Sequence, residues 1–102
     1  PPGIIKFWFA AGLLRLSGYT PNLRTDVAGN KLLPEHKYVF DYDRMAFNPS
    51  GQGALIANHI KFLRLAFDGH FSKSLAQVQG ASQLVADAAP LLTTMLATCL
   101  RV

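Results

Sequence analysis

Arg24 to His59 reads RTDVAGNKLLPEHKYVFDYDRMAFNPSGQGALIANH, a polar stretch rich in Gly, Pro and Asn between two strongly apolar segments. Its first seven residues, Arg24 to Asn30, carry the Asp, Gly and Asn of a tight knuckle. Lys37 to Asp41 and Arg44 to Phe47 are short runs of β-prone residues, and the Tyr-Asp pair between them predicts a small hairpin, though not one closed by Asn-Gly. Asn48 to Gly53 then reads as a loop. Polar loops on a rigid scaffold are where binding concentrates, so recognition is expected to depend on how the flanking helices hold this insertion.

Upstream, Ile4 to Ser17 predicts a helix whose core stripe is Ile5, Phe9, Leu13 and Leu16, with Phe7 and Trp8 widening it almost all the way round. Gly18 and Pro21 stop it at about Ser17, and Tyr19 to Leu23 form a turn. Downstream, a helix from about Asn58 to Phe67 carries the stripe Ile56, Ile60, Leu63 and Phe67, and Asp68-Gly69 ends it. A short helix is expected from Phe71 to Gln79. A final one runs from Ser82, as N-cap, to about Leu100, kinked or split near Pro90. The expected fold is one mainly α domain over residues 1–102, with an inserted β-hairpin and knuckle.

A chain of 102 residues supports one domain with a modest core, and its 50% hydrophobic and 16% charged content excludes a disordered tail. Ile4 to Leu16 is shorter than the roughly 20 residues a membrane span needs, so no membrane association is expected. Pro1 and Pro2 fit a secretory leader poorly, and without an initiating Met the sequence reads as a piece of a longer chain. A single cysteine, Cys99, makes no internal disulfide and points to the reducing cytoplasm. Ten Lys and Arg against six Asp and Glu give a net charge of +4, which suits an anionic partner. The cations are scattered singly, however, and an ordinary solvated surface is equally compatible with that pattern.

Catalytic patterns are weak. Asp41 and Asp43 flank an expected turn, where Asp is common, and read as solvated turn residues rather than an acid/base pair. Cys99 has no patterned His or Asn partner and reads as a packed thiol. His36, His59 and His70 lack metal-ligand spacing. Gly51-Gln52-Gly53 lacks the Gly-Lys-Ser/Thr ending of a phosphate loop. The chain is therefore expected to be non-enzymatic and to need no cofactor.

Leu13-Leu14-Arg15-Leu16-Ser17-Gly18-Tyr19-Thr20-Pro21-Asn22-Leu23 resembles the helix-to-loop segment that opens the C-terminal part of RecO, a bacterial recombination-repair mediator. In that family a C-x-x-C-G knuckle, a hairpin, an F-x-P-x-x-G-G stretch and a second C-x-x-C follow in order. Here Arg24 to Gly29 stands at the knuckle and Phe47 to Leu55 at the later stretch. The likeness covers about Phe7 to Phe67, with a looser helical match beyond. Thr25 and Ala28 replace the first cysteine pair, Ile56 and His59 fall roughly at the second, and the spacer usual after that pair is absent. A lone imidazole does not complete a four-ligand zinc site, so the domain is expected to fold without metal, with Ala28 and Ile56 filling the space.

The resemblance implies the helical C-terminal domain of RecO without its N-terminal OB-fold. It implies an adaptor in DNA recombination and repair that helps load recombinase, with single-stranded DNA, the acidic tail of the single-strand-binding protein and a RecR-like protein as partners. Arg15, Arg24, Lys31, Arg44, Lys61 and Arg64 are the candidates to meet phosphate or carboxylate. A helical interaction module that docks another part of its own chain, or a partner subunit, remains the alternative.

Overall fold

The computed structural model describes residues 2–69 and 75–100. The first helix, α1, spans Pro2–Leu16. Its end is set by a left-handed glycine: Gly18 sits at φ +86°, its N–H bonds to the Arg15 carbonyl, and the Tyr19 N–H reaches back to the Leu14 carbonyl at 2.8 Å. That pair of bonds is a Schellman closure, which satisfies carbonyls the helix would leave open.

The face α1 buries is the opposite of the one expected. Ile4, Phe7, Ala11 and Leu14 are buried, whereas Ile5, Phe9, Leu13 and Leu16 are exposed. A helix that is apolar all round offers no periodicity to choose between its sides. The side that packs is the one that meets the last helix, where a Cβ on Gly3 would lie in ordinary contact, 3.5 Å from Val85 Cγ1.

The insertion holds more strand than the sequence suggests. Strands β1 (Asn22–Asp26), β2 (Tyr38–Asp41) and β3 (Ala46–Pro49) form a mixed sheet in the order β1-β3-β2. The fold is therefore α+β, which corrects the expectation of a mainly α domain with an inserted hairpin. Asn22-Leu23-Arg24-Thr25-Asp26 lacks the β-branched and aromatic density of a strand. It becomes one by pairing with β3 in parallel, through Asn22 N–H to Met45 O and Val27 N–H to Phe47 O. Asn48 and Pro49, expected in a loop, extend β3 opposite Val39 and Tyr38. The hairpin turn, Tyr42 to Met45, is closed by Asp41, whose Oδ1 accepts the Asp43 and Arg44 N–H groups, and by Met45 at φ +49°.

Helix α2 spans Ala57–Phe67 and α3 spans Ala81–Cys99. Ile60, Leu63 and Phe67 are buried as expected, while Ile56 lies just before α2 and is exposed. Gly69, at φ +83°, follows the Asp68 cap, so the expected stop holds. Gly80 rather than Ser82 caps α3, and the helix runs unbroken through Pro90 instead of splitting there. Thr94 Oγ1 donates to the Pro90 carbonyl. The short helix expected from Phe71 begins outside the described residues. The core joins all these elements: α1 packs on α3 and α2, with Phe7 and Phe62 rings 5.3 Å apart, and Tyr38, Phe40 and Phe47 form an edge-to-face cluster on the sheet.

Candidate partner-binding surface

The knuckle after β1 is built on a carboxylate. Asp26 is buried, and its Oδ1 accepts the Ala28 N–H at 2.8 Å and the Asn30 N–H at 3.0 Å, while Gly29 turns at φ +87°. Two backbone donors that would otherwise lie unpaired are satisfied by one side chain. Ala28 and Ile56 are both exposed, so neither fills a metal's place as expected. Thr25 accepts the Asn22 side-chain amide through Oγ1.

His59 is engaged elsewhere. Its Nδ1 accepts the Ile56 N–H at 3.0 Å, which closes the start of α2, and its Nε2 lies 3.0 Å from Asp87 Oδ2 on α3. An Nδ1 that accepts fixes the neutral tautomer with the proton on Nε2, donated to Asp87. Gln83 also donates to Asp87, and these two bonds, the one from His59 foremost, hold the Asp87 carboxyl below its ordinary range. Both ring nitrogens are occupied, so this His-carboxylate pair clasps α2 to α3 and leaves no lone pair for base catalysis. Among the described residues no group of three His, Cys, Asp or Glu side chains could hold a metal ion.

No known protein family, curated protein or solved structure matches this chain. What the surface can bind rests on its own geometry.

Four of the six candidate cations border α2. Arg64 is half-buried, and its Nε donates to the Leu23 carbonyl at 2.8 Å, which fixes the guanidinium between two hollows. On one side is a groove of about 140 Å³ lined by Leu32, Leu33, Pro34, Ile60, Lys61 and Arg64. On the other is a cleft of about 210 Å³ where Arg24 and Arg64 face Thr20, Pro21, Phe67 and Asp68. Arg15 lies at the end of α2, its guanidinium next to Gly69, where a cation also faces the negative end of the helix dipole.

The other two stand apart. Arg44 lies on the hairpin turn, 4.0 Å from Asp41, and Lys31 follows the knuckle in a bridge to Thr25. Among the described residues Arg15, Arg24, Lys31, Lys61 and Arg64 have no ion pair. Lys61 and Arg64 are three apart on α2, a spacing visible in the sequence. The groove they flank was not, because Leu32 to Pro34 come from a loop without periodicity.

Proposed function

We propose that this chain is a non-enzymatic adaptor domain that binds an acidic segment of a partner protein in the groove between α2 and Leu32 to Pro34. The observation that carries this reading is an apolar groove flanked by two cations, Lys61 and Arg64, without ion pairs among the described residues. Such a site suits a peptide with one apolar side chain to bury and carboxylates beside it. The order of motifs that resembles RecO supports placing the domain in DNA recombination and repair in the cytoplasm. The acidic tail of a single-strand-binding protein would then be the ligand, and a RecR-like protein a further partner. The cleft that holds Arg24 and Arg64 is a surface for the phosphates of single-stranded DNA in the same role.

The test is a fluorescence-anisotropy titration with a labelled acidic peptide that ends in Phe with a free carboxylate, at low and moderate salt. Saturable binding that weakens with salt is expected, and Lys61→Glu should weaken it by about tenfold without unfolding the domain. No saturation at high micromolar protein overturns the reading.

A second reading has its own observation. Ile5, Phe9, Leu13 and Leu16 form an exposed apolar stripe on α1, with Leu16 81% exposed. A stripe of this kind favours a structural module that docks another part of its own chain or a partner subunit.

A further inference from the structure

The sheet has an edge that its own chain covers only in part. β2 is an outer strand, and its residues alternate between two neighbours. Lys37 accepts from the Ser50 N–H on the side of β3, whereas Tyr38 exchanges both its backbone bonds with Leu55 on the outer side. In an antiparallel ladder this alternation continues, so the N–H and C=O of Phe40 also point outward. Beyond Leu55 no described residue meets them.

Next to this open position is a cleft of about 330 Å³ between β2 and α3, lined by Phe40, Tyr42, Leu55, Pro90, Leu91 and Thr94. The arrangement of an open strand edge beside a helix wall accepts main chain on one side and alternate side chains on the other. Asp43 follows Tyr42, a lining residue of the cleft, at the hairpin turn and has no ion pair among the described residues, whereas its neighbour Arg44 lies 4.0 Å from Asp41. A second copy fits poorly: two-fold pairing of β2 edges about Phe40 would bring residue 42 of the other copy to the place that Leu55 already fills at Tyr38.

We propose that the open edge of β2 takes an extended peptide segment of a partner protein as an added strand. Its apolar side chains lodge between Phe40 and Pro90, and a lysine or arginine meets Asp43. This site is separate from the groove at Lys61 and Arg64 and selects the opposite charge.

The test uses the whole 102-residue chain and an acetylated, amidated pentapeptide, Thr-Val-Thr-Val-Lys, followed by amide NMR and hydrogen exchange. The expected result is a saturable shift of the Phe40 and Thr94 amides and at least about tenfold slower exchange at Phe40. Methylating the two valine nitrogens of the peptide removes its donors and should weaken binding by about tenfold. Asp43→Lys and Thr94→Trp should each weaken it, whereas Lys61→Glu leaves it unchanged. Equal binding of the methylated peptide, or shifts confined to residues away from Phe40 and Thr94, overturns the proposal. So does the absence of any shift at about 1 mM peptide. Protection of Phe40 that rises with protein concentration alone assigns the edge to a second copy and overturns it as well.

Discussion

Single side chains set the limits of this fold at two places. Gly53 passes so close to β2 that a Cβ there would collide with the backbone of Tyr38, and backbone, unlike a flexible side chain, has little room to move. Gly53→Ala is expected to destabilise the protein by about 1–3 kcal/mol in urea unfolding, whereas Gly51→Ala, whose Cβ meets open space, should leave stability nearly unchanged. Asp87 gives a pH dependence with a definite sign. Its carboxyl is held below the ordinary value of 3.8, so its contribution is fully present above that pH and disappears as pH falls through the lower folded value. Asp87→Asn should therefore flatten the acid limb of the stability profile relative to the parent protein, measured as thermal midpoint from pH 5 to pH 2. A steeper limb in the variant would contradict the assigned bond to His59.

At the scale of elements, the knuckle depends on one carboxylate. Asp26→Ala should cost about 2–3 kcal/mol, because two backbone donors lose a buried charged acceptor, while Asp26→Asn keeps an acceptor oxygen and should cost less. A chelator should leave the thermal midpoint unchanged. These elements also show what the sequence could reveal. The end of α1 at Gly18, the end of α2 at Gly69 and the buried row Ile60, Leu63 and Phe67 were legible, because left-handed glycines and a one-sided stripe act locally. β1 was not, since Asn22 to Asp26 owe their strand conformation to β3, about twenty residues away. The His59-Asp87 clasp left no signal either, for it joins residues 28 apart on two helices. The candidate site was half legible: Lys61 and Arg64 stood out by spacing, but the groove beside them exists only through a loop that folds onto α2.

For the molecule as a whole, the exposed side of α1 decides how it behaves in solution. Phe9 and Leu16, with Ile5 and Leu13, place apolar surface where the core stripe was expected. If this face docks a partner surface, the isolated chain should associate as concentration rises, and Phe9→Glu with Leu16→Glu should return it to monomer without lowering the thermal midpoint. Light scattering after size exclusion measures the first and calorimetry the second. Unchanged association in the double variant would assign it to another surface, such as the edge of β2.

The parallel pairing of β1 with β3 also bears on the order of folding. β1 precedes the hairpin in the chain, yet its bonding partner is the hairpin's second strand, in the centre of the sheet. The loop that joins β1 to β3 is longer than the hairpin's own, so its closure costs more entropy. The expected order is hairpin first and N-terminal strand later. Weakening β1 should speed unfolding while barely slowing folding, the signature of a contact made after the barrier has been crossed.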